Sequence, residues 1–373
     1  MSAVTARFPA AHQGFVHAIA FDFFGERIAT GGADHQVCIY ALDGEGQWTL
    51  QAEVKAQLGP VVALSWAHPE FGCLLAAASL DHTVTIWDEL ESVDETSGNV
   101  LSRFRRLCEL SDSRLGVNDV QFAPRHLGLM LAAACADGQV RIYQVTDVTA
   151  ATHWELSETF EADARDARSV SWGSSRFDAP MLAVGGRNQY VSIWTKATSG
   201  ESWSQMAQLK GHSDTVHCVS WAPDCGRGFH SIASASADGT VNVWRVDYPE
   251  SGPAASTSGV PSTAAAVPWS LEASLQGGGR EMWKAHWSGT GSVLAACGDD
   301  GVVRLWHRNL SGKWECASQV AVTAPLQLGT ALQGGGLGSA GDPPSPHHTG
   351  APGVTAKASS DESRSGTVPS TVV

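Results

Sequence analysis

Residues 122–143, FAPRHLGLMLAAACADGQVRIY, contain two apolar runs separated by the turn sequence ADGQ. The first run, 127–135, is too short to cross a bilayer, and the second, 140–143, alternates apolar and polar residues. Asp137 can hydrogen-bond backbone amides of the turn, and Gly138 can adopt a positive φ without steric cost. The stretch therefore predicts a β-hairpin that carries almost no reactive side chain.

The second half of this hairpin recurs in six copies, each of which ends in an aromatic residue: Tyr40, Trp87, Tyr143, Trp194, Trp244 and Trp306. Ahead of each copy lie an alternating run, such as VHAIAF at residues 16–21, and a run of small residues, such as RIATGG at residues 27–32. Another alternating run follows each aromatic residue, as in QWTLQAEV at residues 47–54. Four antiparallel strands per unit, repeated around a ring, are typical of propeller blades. The sequence therefore predicts an all-β, WD40-type β-propeller with six four-stranded blades.

The composition argues against several classes of function. The 373 residues are 43% hydrophobic, enough for a sizeable core, and their formal net charge of −14 argues against direct binding of nucleic acid or anionic lipid. The N-terminus lacks the pattern of a secretory signal, and no apolar run reaches the length of a spanning helix. The eight cysteines include no CxxC pair, which favours buried reduced thiols over a zinc site or disulfide framework. We therefore expect a cytosolic or nuclear protein without a transmembrane segment.

The fifth unit contains the most regular copy of the turn, SASADGTVNVW at residues 234–244. In WD repeats a histidine, a hydroxyl, the turn aspartate and the strand tryptophan form one hydrogen-bonded set that pins the blade edge, and the matching positions here are His212, Ser236, Asp238 and Trp244. A buried Asp and His are tolerated only when they are paired in this way. The turn aspartate recurs in four other units, at Asp34, Asp81, Asp137 and Asp300. A catalytic triad also needs a nucleophile beside the histidine, so we predict a structural role, with no catalytic residues, no cofactor and no metal site.

The order of the strands predicts an open ring. The first alternating run begins near Val16 as an inner strand, and the last unit supplies its own outer strand at residues 314–320. No spare strand therefore remains to close the ring, except the short TARFPA near the start. Exposed strand edges and apolar faces must be covered, and strands from another protein can cover them. We expect a partner to donate the missing blade, close to edge residues Val16, Ile19, Phe21, Val293, Val303 and Trp306.

The predicted domain organisation follows from these units. Residues 1–14 form an N-terminal extension, and residues 15–321 form the propeller, with a flexible insert rich in Ala, Ser and Pro at 248–268. Residues 322–373, rich in Gly, Pro, Ser and Thr, are expected to form a disordered tail. The tail is interpreted as a solubilising end, or alternatively as a regulated segment that is phosphorylated at Ser345.

Several segments resemble a known family, over about residues 12–321. They are FAPRHLGLMLAAACADGQVRIY, WAHPEFG at 66–72, FDFFGERIAT at 21–30, WAPDCGRGFHSIA at 221–233 and GTGSVLAACGDDGVVRLW at 289–306. These residues are similar to the Sec-thirteen homologue nucleoporins of the Seh-one type. The unusually regular turn of the fifth unit and the insert at 248–268 depart from the family pattern and put loop-level contacts in doubt.

The resemblance implies a non-catalytic scaffold subunit of the Y-shaped outer-ring coat of the nuclear pore complex, which supports transport of protein and mRNA. It implies an elongated α-helical scaffold nucleoporin that donates a blade in trans, together with other subunits of the Y-shaped complex. It also implies a second role, with subunits of the complex that regulates TORC1 signalling in response to amino acids. The expected locations are the nuclear envelope at the pore and the vacuolar or lysosomal membrane surface.

Three alternatives remain at this point. A Sec-thirteen type subunit, shared by the COPII vesicle coat and the nuclear pore, has the same plan. A closed propeller could instead act as a substrate receptor, for instance in a ubiquitin ligase, and would need a locked ring and a cluster of Arg or aromatic side chains at the channel mouth. An enzyme would need carboxylates, histidines or metal ligands that converge on the central channel.

Overall fold

The computed structural model describes residues 8–93, 100–146, 151–174, 179–196, 202–225, 228–247 and 269–321. These residues form twenty-four β-strands, two short 3-10 turns and no α-helix. The strands make six separate four-stranded antiparallel sheets. The prediction of an all-β propeller with six four-stranded blades is therefore confirmed. The insert at 248–268, the tail at 322–373 and the first seven residues of the N-terminal extension lie outside the described residues.

Each blade uses four strands that are consecutive in the chain, so the order of strands in every sheet follows the sequence. Blades 1 to 3 consist of β1 (Val16–Phe21), β2 (Arg27–Gly32), β3 (Gln36–Leu42), β4 (Trp48–Lys55); β5 (Val61–Trp66), β6 (Leu74–Ser79), β7 (Val84–Val93), β8 (Val100–Leu110); and β9 (Val117–Phe122), β10 (Met130–Cys135), β11 (Gln139–Val145), β12 (Trp154–Glu161). Blades 4 to 6 consist of β13 (Ala167–Trp172), β14 (Met181–Gly186), β15 (Tyr190–Thr195), β16 (Ser204–Lys210); β17 (Val216–Trp221), β18 (Phe229–Ser236), β19 (Thr240–Asp247), β20 (Ser270–Gln276); and β21 (Met282–Trp287), β22 (Val293–Gly298), β23 (Val302–Arg308), β24 (Trp314–Ala321).

The hairpin of residues 122–143 forms as predicted, with a shorter first strand. β10 pairs with β11 across the ADGQ turn, where Gly138 has a φ of 81°. The strand begins at Met130 rather than at Leu127, because residues 125–127 form a 3-10 turn that ends at Gly128. Gly128 has a φ of 85°, in the left-handed region that favours glycine.

Two irregularities recur in all six blades. The pairing of the first two strands shifts register near the start of the inner strand, as between Val16 and Ala18 in blade 1. The pairing of the last two strands shifts just before the closing aromatic residue, as between Val243 and Trp244 in blade 5. Such bulges bend a strand and increase its twist. The six sheets therefore carry the same two bulges, and a similar twist allows neighbouring sheets to pack face to face.

Apolar clusters join each blade to the next. One cluster combines Ile193 and Leu209 of blade 4 with Trp221 and Trp244 of blade 5. The inner strands of consecutive blades also pack together, from β1 on β5 through to β17 on β21. Within the described part of the chain, however, no strand of blade 6 packs extensively on a strand of blade 1. The six blades thus have a first and a last member, and each of these has one flank without a neighbouring blade.

Candidate functional site

The inner strand of blade 1 exposes large apolar side chains that other blades bury. Ile19 is 49% exposed and Phe21 is 56% exposed. The corresponding residues of blades 3 to 5 are at most 7% exposed; they are Val120, Phe122, Val170, Trp172, Val219 and Trp221. Each of those three blades packs against a preceding blade. The exposure of β1 therefore marks the flank of blade 1 that has no preceding blade among the described residues.

Blade 6 has a matching open flank. In β22 and β23, Leu294 and Trp306 are buried against blade 5, whereas Val293, Val303 and Leu305 are only half-buried. In blade 4, by contrast, every residue of β14 is buried. Since successive side chains of a strand point to opposite faces, one face of blade 6 covers blade 5 and the other lacks a cover.

We call these two flanks the seam, defined by Ile19 and Phe21 on blade 1 and by Val293, Val303 and Leu305 on blade 6. Four of the six edge residues expected from the sequence, Ile19, Phe21, Val293 and Val303, lie on the seam. Val16 is half-buried at the start of β1, where it pairs with Gly32. Trp306 is only 4% exposed and faces blade 5. Trp306 therefore does not lie at the open edge, as the sequence had suggested, because it is adjacent in sequence to Leu305 and points to the opposite face.

Residues near the N-terminus cover the outer part of the blade 1 flank. The Phe8 ring lies 4.9 Å from the Tyr40 ring, and the backbone N–H of Ala11 donates to the Tyr40 hydroxyl at 2.8 Å. Ile28 and Cys38 are buried in the same cluster. These contacts leave Ile19 and Phe21 of the inner strand uncovered, so a covering group would have to reach that strand.

Among the hydrogen bonds between inner strands, one link recurs at all five contacts between consecutive blades. In this link, which we call the blade joint, the fifth residue of an inner strand bonds to the sixth residue of the next inner strand. In three joints a side chain accepts from the next backbone N–H: Ser65 from Phe122 at 3.0 Å, Gln121 from Trp172 at 2.7 Å and Ser171 from Trp221 at 3.0 Å. In three joints the backbone carbonyl accepts from the next indole N–H: Ala20 from Trp66 at 3.1 Å, Gln121 from Trp172 at 3.0 Å and Ser220 from Trp287 at 3.0 Å. Every one of the five joints uses at least one of these bonds.

The pinning network of blade 5 contains three of the four predicted residues. His212 Nδ1 lies 3.0 Å from an Asp238 carboxylate oxygen. His212 Nε2 lies 2.7 Å from the hydroxyl of Ser234, and the Trp244 indole N–H donates to that same hydroxyl at 2.9 Å. The Asp238 carboxylate also accepts from the Ser213 backbone N–H at 3.0 Å. The network ties the loop before blade 5 to the turn and third strand of that blade.

Ser234, not Ser236, supplies the hydroxyl of this network. Ser236 instead donates to the backbone carbonyl of Thr215 at 2.9 Å and accepts from the backbone N–H of Asp238 at 3.2 Å. Both serines point to the same face of β18, but Ser236 is at the strand end, beside the turn. Blade 1 repeats the arrangement with Thr30, four residues before Asp34, whose hydroxyl lies 2.9 Å from His12 Nε2. A hydroxyl four residues before the turn aspartate is thus the sequence signal for this network.

The other turn aspartates are paired in different ways. Asp81 accepts from the backbone N–H groups of Leu58 and Gly59 at 2.7 Å and 3.1 Å. Asp137 forms an ion pair with Arg141 at 2.6 Å, and Asp300 pairs with Arg304. The arginines, four residues after each aspartate, were not identified from the sequence. In blade 4 the turn carries no aspartate, and Asp163 from the preceding loop accepts from the Asn188 backbone N–H at 2.9 Å instead.

The electrostatics of these groups fit a structural role. Burial raises the pKa of Asp238, but hydrogen bonds from Thr240 and from the Ser213 backbone, with the charge of His212, outweigh it and lower that pKa overall. Burial lowers the pKa of His212 from its ordinary value of 6.5, although Asp238 opposes the shift. The two shifts favour the ionised form of the Asp238 carboxylate and the neutral form of the His212 imidazole.

Four segments match the family model of the WD domain, G-beta repeat: residues 4–41, 48–88, 203–245 and 269–307. The chain is 34% identical to nucleoporin SEH1 of Osmerus mordax over 347 residues, which cover 89% of this chain and 89% of that protein. It is also 34% identical to nucleoporin SEH1 of Bos taurus, over 88% of this chain and 92% of that protein, and of Homo sapiens, over 87% and 90%. The chain belongs to the nucleoporin SEH1 family.

The family assignment extends over both flanks of the seam. The matched repeat 4–41 contains β1, β2 and most of β3 of blade 1, and the repeat 269–307 contains β20 of blade 5 with β21, β22 and most of β23 of blade 6. The repeat 203–245 begins before the outer strand of blade 4 and ends within blade 5. Sequence repeats and blades are therefore offset by one strand, although every blade is built from consecutive strands.

No group of three or more His, Cys, Asp and Glu side chains among the described residues could hold a metal ion. No helix in this part of the chain is long and apolar enough to cross a membrane. All eight cysteines are free; Cys38, Cys135 and Cys218 are buried, and Cys225 and Cys316 are exposed. The seam is thus the surface that best suits a function.

Proposed function

We propose that the chain is a non-catalytic scaffold subunit of the nuclear pore complex, in the Y-shaped coat of its outer ring. The observation that supports this proposal most directly is the seam, where Ile19 and Phe21 are 49% and 56% exposed although the same positions in blades 3 to 5 are buried. Membership of the nucleoporin SEH1 family supports the choice of the nuclear pore complex as the assembly. A scaffold subunit of this kind supports transport of protein and mRNA at the nuclear envelope.

The partner in this proposal is an elongated α-helical scaffold nucleoporin that inserts a blade between blades 6 and 1. Strand addition to an exposed edge gives affinity through main-chain hydrogen bonds, and apolar side chains add burial. Other subunits of the Y-shaped complex would then attach through this partner. A second role in the complex that regulates TORC1, at the vacuolar or lysosomal surface, uses the same seam if its helical subunit carries a similar blade.

Affinity isolation of the tagged chain from its own cells, followed by mass spectrometry, tests the proposal. We expect the wild-type chain to recover Y-shaped pore scaffold proteins and the double variant Ile19→Glu, Phe21→Glu to lose them, because two buried unpaired charges are costly. Leu58→Glu is the matched control, since Leu58 is 86% exposed and lies away from the seam. Recovery of COPII coat rods would instead indicate the Sec-thirteen type, and recovery of ligase subunits, or of nothing, would overturn the scaffold proposal.

A further inference from the structure

The blade joints allow the sequence of the inserted strand to be inferred. Inner strands have equivalent positions in all six blades, so the fifth and sixth residues of each strand can be compared directly. The sixth residue is aromatic in every blade: Phe21, Trp66, Phe122, Trp172, Trp221 and Trp287. At each of the five joints, this aromatic residue bonds to the fifth residue of the blade before it.

On the blade 6 side, the fifth residue is His286, in β21. Among the described residues its imidazole has no hydrogen-bond partner, and its side chain is exposed. A neutral imidazole has one ring nitrogen that accepts a hydrogen bond. His286 thus has the acceptor that Gln121 provides to blade 4.

On the blade 1 side, the sixth residue is Phe21, which has no indole N–H. The joint between blades 2 and 3 has the same feature, since Phe122 is the sixth residue there. That joint uses the backbone N–H of Phe122, which donates to the Ser65 hydroxyl at 3.0 Å. An equivalent joint to Phe21 therefore needs an acceptor side chain on the fifth residue of the inner strand that lies before blade 1 in the ring.

We propose that the inserted blade presents an inner strand that continues the joint pattern, with a hydrogen-bond acceptor side chain fifth and an aromatic residue sixth. The aromatic backbone N–H donates to the imidazole of His286, and the acceptor side chain receives the backbone N–H of Phe21. This inference rests on the proposed function, because it describes the partner strand at the same seam. In this arrangement the hydrogen bond to His286 sets the register of the inserted strand.

Photo-crosslinking tests the register. Benzoylphenylalanine replaces Ile19 in one full-length variant and His286 in another, and the complexes isolated from cells are irradiated and sequenced. We expect both positions to crosslink to one segment of a pore scaffold protein, which contains an acceptor residue followed by an aromatic residue. Crosslinks to two different proteins, or to a segment without that pair, would overturn the inference. Leu58 carries the crosslinker in the control and should not label that segment.

Two substitutions of His286 test its role separately. His286→Leu leaves the partner N–H without an acceptor, and we expect about tenfold weaker recovery of the pore scaffold protein, as for one unsatisfied buried donor. His286→Gln keeps an acceptor, as Gln121 does in blade 3, and should remain within about twofold of wild type. The lone chain should unfold at the same temperature in all three forms, because His286 has no bond to lose there.

The outcomes separate the two proposals. If the wild-type chain recovers no pore scaffold protein, the proposed function is wrong. If wild type, His286→Leu and His286→Gln all recover it equally, the proposed function stands and the joint inference is wrong. His153→Leu, at an exposed histidine outside the inner strands, controls for the loss of an imidazole.

Discussion

At the scale of single residues, the Ser234 hydroxyl contacts both His212 and Trp244 in the pinning network of blade 5, and a double-mutant cycle tests its role directly. Ser234→Ala should cost about 1–3 kcal/mol in the free energy of unfolding, because two buried nitrogens lose a partner. Combined with Trp244→Phe, which removes the indole N–H, the cost should be non-additive. Ser236→Ala combined with Trp244→Phe should be additive within about 0.5 kcal/mol. Denaturant unfolding of the six forms measures both couplings, and coupling through Ser236 alone would contradict the assignment.

Protonation of His212 should also be visible in stability. Its pKa is lowered in the folded chain by burial, from 6.5, so the unfolded chain binds more protons below that pH and stability is lost on acidification. His212→Asn should therefore flatten the decline in unfolding free energy between pH 7.5 and 5.5, where the slope per group is at most about 1.4 kcal/mol per pH unit. The lowered pKa of Asp238 acts only below its ordinary value of 3.8, outside this window. His153→Asn is the control, and equal pH dependence in His212→Asn and wild type would refute the prediction.

The sequence correctly indicated the residues of the blade 5 network for which it offers a single candidate. It indicated the wrong hydroxyl, because two serines are equivalent in the pattern. His212, Asp238 and Trp244 had no competitor, whereas Ser234 and Ser236 are two residues apart and share a face of β18. They are distinguished by the positions of the Trp244 indole and the His212 imidazole, both of which contact Ser234. Trp306 was misplaced for a related reason, because the face that a strand residue occupies depends on which blade lies on each side.

At the scale of strands, the seam predicts opposite results for two phenylalanines at the same position. Phe122→Ala should cost about 3–5 kcal/mol in unfolding free energy, since Phe122 is 7% exposed. Phe21→Ala should cost less than about 1 kcal/mol in the isolated chain, since Phe21 is 56% exposed. Chemical denaturation of both variants tests this, and an equal loss would mean that the flank of blade 1 is covered in the lone chain.

Strand positions were the most predictable feature of the fold. The six inner strands span the residues that the alternating runs indicated, because alternation and flanking turns are encoded locally. The blade joints could not be predicted in this way. They link residues about fifty positions apart, such as Gln121 and Trp172, and their geometry exists only when two blades pack together.

At the scale of the whole ring, protection against hydrogen exchange should fall from the middle blades to the two blades at the seam. Blades 3 and 4 have neighbours on both sides, whereas blades 1 and 6 each have one. Segments with fewer buried contacts open at a lower free energy, so the backbone amides of β1 and β21 should exchange faster than those of β9 and β13. In the complex isolated from cells, an inserted blade should slow β1 and β21 and leave β9 and β13 almost unchanged. Mass spectrometry of exchange in the lone chain and in the complex measures both, and uniform protection around the lone chain would show a ring that closes without a partner.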